Sequence, residues 1–306
     1  MKLNARPPLN RPLVAVSSGL LMLLICAAVF APALTPFDPA QQDLLGRLQP
    51  PGWADRAGNV HITGTDHLGR DIFTRMLYAS RVSLTVGFAA VLLGGGFGLL
   101  MGLASGYFGG WLDSLITRLG EMQLAFPFLL LAIVLVSVLG PSLVNVVLVL
   151  ALATWVDYAK VVRAEVLQLR EREFVRAARV LGYSDTRLIL RHILPNVLSS
   201  FLVVASFQVA ALIIAESSLS FLGLGVPNNI PTWGGILADG RAYVRTAWWL
   251  SVFPGLAIMV AALSFNLLGD GLRDAIDPTQ RKRKLGQEKQ AQPPSKPNDV
   301  NIQLGG

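Results

Sequence analysis

Six apolar runs dominate the chain and leave it few ways to fold: Leu13–Leu34, Val82–Ser105, Met122–Leu139, Leu143 to about Val162, Val197–Ala215 and about Trp248–Leu268. A helix needs roughly 20 apolar residues to cross a bilayer, and these runs lie at or near that length. Composition agrees. The 306 residues are 53% hydrophobic and only 15% charged, with a mean hydropathy of +0.53, whereas a soluble domain carries about 25% charge. The expected fold is all-α: a polytopic membrane protein with six transmembrane helices.

The first run follows Met1–Pro12, which holds Lys2, Arg6 and Arg11 and no acid. A cleavable signal peptide is the competing reading. The run is long for one and its proline-rich flank is poor for cleavage, so a retained anchor is expected. The single cysteine, Cys26, excludes a disulfide framework within one chain. The net charge of +7 reads as basic cytoplasmic loops rather than as nucleic-acid binding. With six spans both termini share a side. That side collects nineteen Lys and Arg, and the other holds seven: Arg47, Arg56, Arg70, Arg75, Arg81, Arg241 and Arg245. The bias puts both termini and the Glu171–Pro195 connection in the cytoplasm. Within the fourth run, Asp157 and Lys160 are spaced to pair.

The spans divide the chain into a cytoplasmic N-terminus (1–12), a first helix (13–34), an external segment (35–81), a five-helix domain (82–270) with a cytoplasmic loop at 163–195, and a cytoplasmic tail (271–306). The external segment reads as having no core of its own. It ends in an interfacial elbow helix that Asp66 or Asp71 can cap, with Ile72, Met76 and Ala79 on one face and Arg70, Arg75 and Arg81 free to reach headgroups. In the second run, Gly94, Gly98, Gly102 and Gly106 recur every four residues, a spacing that lets another helix approach closely in lipid. Tyr107 and Trp111 read as interfacial rings.

Glu216–Arg241 is irregular by its glycines and prolines yet rich in Leu and Phe, so it must be buried in protein or line a cavity. Glu216, at the end of the fifth run, is a candidate gate or passage residue; its bland reading is a backbone cap at the water interface. Trp233 is likewise an interfacial ring or a gate contact. Phe265–Pro278 reads as a short helix capped by Asp270, and the tail beyond Thr279 as disordered. His61 and His67 read as solvated loop histidines rather than metal ligands.

Glu171–Pro195, EREFVRAARVLGYSDTRLILRHILP, is the longest polar interruption in the second half. Phe174, Ala177, Ala178 and Leu181 share one helical face; Arg172, Arg176 and Arg179 share the other. Gly182 supplies the left-handed residue that ends such a helix. Ser184 or Asp185 can cap a second short helix, and Pro195 starts the next apolar run. Ala177, Ala178, Gly182, Leu194 and Pro195 resemble the "EAA…G…LP" loop of ABC importer permeases. Arg176 stands where that family often has Glu, and His192 where it often has Ile. The segment GTDHLGRDIFTRMLYASRVSL, Gly64–Leu84, resembles a signature of the dipeptide, oligopeptide and nickel branch, and its place behind the first span resembles the C-type partner.

The resemblance implies a type I ABC importer transmembrane fold in the bacterial inner membrane. It implies a heterodimer with a second six-span permease, two ABC ATPase subunits inside and a solute-binding protein outside. ATP and magnesium would sit on the ATPases, with no cofactor or metal on this chain. The loop would dock on an ATPase through Ala177, Ala178 and Gly182, with Phe174 and Arg176 alongside, and join the fifth span through Leu194 and Pro195. No lysine follows a glycine anywhere in the sequence, so the chain has no phosphate-cradling P-loop of its own, and no catalytic motif is found. Small peptides are the first expectation for cargo and nickel or a metal chelate the second. An ion-driven transporter is the alternative of another class, but its mid-span charges are missing.

Overall fold

A computed structural model describes residues 10–227 and 229–276. In chain order its elements are α1 (Asn10–Val29), a single turn α2 (Ala31–Leu34), the strands β1 (Trp53–Ala54) and β2 (Val60–His61), α3 (Ile72–Phe108), α4 (Gly110–Leu124), α5 (Phe128–Leu139), α6 (Leu143–Leu169), α7 (Glu173–Val180), α8 (Asp185–Leu188), α9 (Leu194–Phe221), α10 (Trp233–Gly240) and α11 (Trp249–Ile276). Among the described residues, four helical stretches are long and apolar enough to cross a membrane: α3, α6, the unbroken run Asp185–Phe221, and α11. The pair α4 and α5 passes the same test only when taken together, and it is bent by 88° where Pro127 interrupts it, the shape of a broken span or a re-entrant loop. The shorter apolar stretch Leu13–Val29 is the sixth segment. The N-terminal residues before Asn10, Pro278 and the charged tail lie outside the described residues.

Helices run further than the sequence suggests. The expected elbow is the first turns of α3, which continues without a break for 37 residues. Asp71 is the cap, accepting from Thr74 N at 2.7 Å. Arg81 is exposed, and it donates to Ala28 O at 2.5 Å and Val29 O at 3.0 Å, satisfying carbonyls at the end of α1, where a cation also suits the helix dipole. The connection after α3 is itself helical. Gly109 and Gly110, at φ of +66° and +59°, turn the chain into α4. Arg163 of α6 then grips Asp113 at 2.6 and 2.7 Å, and Gln123 joins Trp155 at 2.8 Å. At the C-terminal end, α11 passes through Asp270 instead of restarting there. Asp157 takes a hydrogen bond from Gln208 of α9 at 3.0 Å rather than pairing with Lys160.

The segment between α2 and α3 does have a small organised centre. Strands β1 and β2 pair antiparallel, and Phe37 and Trp53 stack on His61 with centroids 4.8 and 5.4 Å away. His61 is therefore buried, with Nδ1 2.9 Å from Asp71 Oδ1.

The central contact is between α3 and α6. A Cβ placed on Gly94, Gly98 or Gly102 would lie 2.7, 2.4 or 2.7 Å from the carbonyl oxygens of Ala151, Trp155 and Ala159, and one on Gly106 would lie 3.0 Å from that of Arg163. The four glycines thus meet four α6 residues that also repeat every four positions, backbone against backbone. In hydrocarbon this closeness supplies the attraction that the hydrophobic effect cannot.

Candidate functional site

The polar loop folds as a helix, a glycine turn and a helix. α7 ends in a Schellman motif: Gly182 N donates to Arg179 O at 3.0 Å and Tyr183 N to Ala178 O at 3.2 Å, with Gly182 at φ +80°. Ser184 holds the N-cap position of α8, but its side chain makes no capping bond. Asp185 serves another purpose and accepts from Tyr107 Oη, on the last turn of α3, at 2.5 Å. The Arg179 guanidinium lies 5.7 Å over the same ring. The expected short second helix does not stop before the fifth span. α8 leads through one π-helical turn, Ile189–Ile193, straight into α9, where Pro195 sits in the first turn.

Burial divides the loop differently from the expected face. Ala178, Leu188, Ile193 and Val197 pack with Leu103, Tyr107, Val162 and Val166, and Val175 is buried as well. Phe174, Ala177 and Gly182 are exposed, and Val180 and Leu181 are 88% and 74% exposed. Of the face Phe174, Ala177, Ala178 and Leu181, only Ala178 points inward, because the buried pair Val175 and Ala178 sets the register. Arg176 is exposed and lies 3.6 Å from Glu171, an ion pair worth about 0–1 kcal/mol. Leu194 is half-buried and Pro195 exposed. His192, the second departure from the motif, fits between rings: Tyr183 stacks on it at 5.9 Å and Phe174 lies at 6.4 Å. The anchors Tyr107 and Asp185 escaped the sequence reading, because a tyrosine at a span end signals an interface and an aspartate before a helix signals a cap.

Glu216 is not at the end of its span and not at a water interface. It lies inside α9, 0% exposed, and accepts from Ser220 Oγ at 2.7 Å and from Ser83 Oγ of α3 at 3.1 Å. Trp233 is equally buried at 0%, so the interfacial ring is also overturned. Its backbone N–H donates to Ser83 Oγ at 3.4 Å. One serine thus brings the two candidates together at the junction of α3, α9 and α10. Despite Gly234 and Gly235, α10 is a regular helix. Thr232 caps it, accepting from Gly235 N at 3.0 Å, and bare Gly234 lets it lie on the α9 backbone at Ser217.

A second polar knot ties the other end of α10. Asp66 is fully buried and takes Arg70 Nε at 2.6 Å and Arg75 Nη1 at 2.5 Å. Asp239 of α10 reaches the same two guanidinium groups at 3.2 and 3.0 Å. These arginines are internal, not headgroup ligands. Burial alone would push the Asp66 carboxyl up, but the charges of Arg75 and Arg70 and two backbone N–H groups outweigh it and hold it below the usual carboxylate range. Asp66, His67 and Asp239 bring three ligating atoms within 4.8 Å of one another, yet the guanidinium groups already occupy both carboxylates as their cations.

Residues 95–282 match the family of binding-protein-dependent transport system inner membrane components. The chain belongs to this permease family. Residues 9–51 of the permease also match the N-terminal transmembrane domain of oligopeptide transport permease C. It is 43% identical over 265 residues to a dipeptide transport system permease protein, DppC, of Alkalihalophilus pseudofirmus, covering 86% of the chain and 85% of that relative. It is 41% identical to a Haemophilus influenzae protein of the same description, over 85% of the chain and 89% of the relative. These matches make it a peptide-type ABC permease. A solved structure described as an amino acid ABC transporter with histidines aligns with 63% of the permease and 90% of that chain, at 16% identity and a TM-score of 0.50. That likeness speaks for the fold.

Proposed function

We propose that this permease imports small peptides across the inner membrane by alternating access, as one half of a heterodimer with a second six-span permease. Two ABC ATPases dock on the cytoplasmic side and bind ATP and magnesium, while a solute-binding protein delivers cargo from outside. The peptide assignment rests on relatives that match most of the chain and are described as dipeptide transport system permease proteins. The orientation rests on the bias of Lys and Arg. The partner permease has room to pack, since the Asp185–Phe221 run is the least covered of the four long helices.

The observation that carries the reading is the loop. Phe174, Val180 and Leu181 are apolar, exposed and grouped around a glycine turn. That turn sits on a packed root and leads without a break into α9. Phe174, Arg176 and Ala177 contact the ATPase groove, Ala178 and Gly182 keep the shape of the turn, and Leu194 and Pro195 join it to the span. When the ATPases close, the loop moves with them and the spans reorient around the cargo. Glu216 and Trp233 take no part in docking; they hold the opposite, external gate.

Mass spectrometry of what co-purifies with the chain in mild detergent tests the assembly. Two P-loop ATPases and a second six-span chain are expected. A chain that purifies alone and transports in vesicles without ATP overturns the reading. Gly182→Val tests the loop, because a β-branched residue disfavours positive φ. Assembly with ATP hydrolysis but no transport is expected; full transport removes the loop from the mechanism.

A further inference from the structure

The knot at the C-terminal end of α10 is unequal. Arg70 and Arg75 are nearly shut away, their side chains 10% and 3% exposed. Asp66 lies beside them on the chain and holds both at 2.5–2.6 Å. It offsets one of the two positive charges. The other is met by Asp239, which comes from a distant element, is 24% exposed, and stands off at 3.0–3.2 Å through a single oxygen. Beside that oxygen opens a cavity of about 120 Å³ lined by His67, Arg70, Arg75, Thr232 and Asp239. A ring nitrogen of His67 lies within 4.8 Å of an oxygen of each carboxylate, and its Nδ1 is buried without a hydrogen-bond partner. The cavity therefore joins two guanidinium groups, an imidazole and a carboxylate that reaches in from a short helix of eight residues.

Guanidinium groups bind carboxylates by shape as well as charge, favouring two oxygens on parallel N–H donors. Asp239 uses one oxygen and leaves that preference unmet. We propose that Arg70 and Arg75 form a carboxylate-exchange site. Asp239 fills it while α10 is seated on α3, and a carboxylate from outside the chain displaces Asp239 and frees that end of α10. His67 supplies a further donor to the incoming group. The carboxylate comes either from the end of a transported solute or from an acidic side chain of the delivering protein. Exchange conserves charge at the knot, so the incoming group need not create a new buried charge; it replaces one. The other end of α10, at Trp233 and Ser83, stays tied during the exchange.

Chemical rescue tests this on the assembled transporter in mild detergent. Asp239→Ala empties the seat, and its thermal midpoint is expected to fall. Sodium acetate at constant ionic strength should restore the midpoint with a saturable, millimolar response. Acetamide should not, and the wild type should respond to neither. Arg70→Gln in the Asp239→Ala background should abolish the response. Equal effects of acetate and acetamide, no effect of either, or an undiminished response in the double variant would overturn the site. If Asp239→Ala does not assemble, Asp239→Asn keeps the side-chain shape and is read in the same way. Dialanine and dialanine amide separate the sources. Dialanine saturating at least tenfold below acetate, with the amide inert, assigns the seat to the solute. Dialanine no tighter than acetate assigns it to a protein side chain. The acetate result does not depend on peptides being the cargo, so its failure removes the exchange site and leaves the transport reading standing.

Discussion

Gly98→Ala isolates what the α3–α6 seam contributes. The added Cβ would lie 2.4 Å from Trp155 O and 2.7 Å from Tyr158 Cβ, where ordinary contact begins at 3.4 Å. The seam must open by about 1 Å, and the first obstacle is a backbone carbonyl, so no side-chain rotation relieves it. Gly94 and Gly102 sit one turn away on either side, each 2.7 Å by the same measure from a carbonyl of α6. Opening the middle separates them too, and a gap of 0.5–1 Å forfeits about a quarter to a half of each dispersion contact. Overpacking of this kind destabilises by about 1–3 kcal/mol. Alanine's better helix propensity returns at most about 1 kcal/mol. The net expectation is a loss of about 1–2 kcal/mol. Gly96 is the control: it lies on the same helix with nothing within 4 Å, so Gly96→Ala should be neutral or slightly stabilising. Equilibrium unfolding of both variants in mixed micelles measures the difference. Equal stability of the two refutes the claim that close backbone approach holds this pair.

Tyr107→Phe deletes only the hydroxyl that Asp185 accepts. It should weaken the root of the loop by about 1–2 kcal/mol, visible as faster amide exchange from Gly182 to Asp185 with the spans unchanged. Glu216 is surrounded by hydroxyl donors, so Glu216→Gln should stay within about 1 kcal/mol of wild type while Glu216→Ala, leaving buried serines unsatisfied, loses about 1–3 kcal/mol; thermal midpoints decide. Asp66 has a lowered folded pKa, so its stabilisation is present above an unfolded value of about 3.9 and is lost as pH falls through the lower folded value. Asp66→Asn should lower the midpoint at pH 7 and flatten its fall below about pH 4; an unchanged acid limb counts against the ion pairs.

The sequence reading worked where a local pattern and the final contacts coincide. The glycines of α3 repeat every four residues, and so do their α6 partners. Gly182 adopts the positive φ its position demanded. The reading went astray where distant residues satisfy groups that look unsatisfied in isolation. Arg70 and Arg75 resemble headgroup ligands until Asp239, more than 160 positions away, is known to meet them. Glu216 looks like the end of a span because a carboxylate inside one needs partners, and Ser83 lies 133 positions back. Asp185 and Asp270 read as helix caps, yet one serves Tyr107 and the other lies mid-helix. Asp71 shows that a capping aspartate can also hold a distant partner, His61, so a polar residue near a helix end does not by itself say which task it serves.

The glycine seam also limits where this molecule can bend. Contacts between side chains can slide, because rotamers exchange and gaps refill. Backbone pressed on backbone has no such slack, so α3 and α6 behave as one stiff beam through most of their shared length. Any change of shape must then be absorbed at softer joints around it. The described chain offers three with a physical cause: the 88° break at Pro127, the π-helical turn at Ile189–Ile193 ahead of Pro195, and the lost hydrogen bond at Pro254 inside α11. All three lie outside the beam, so each can take up a bend without parting the two glycine-packed backbones.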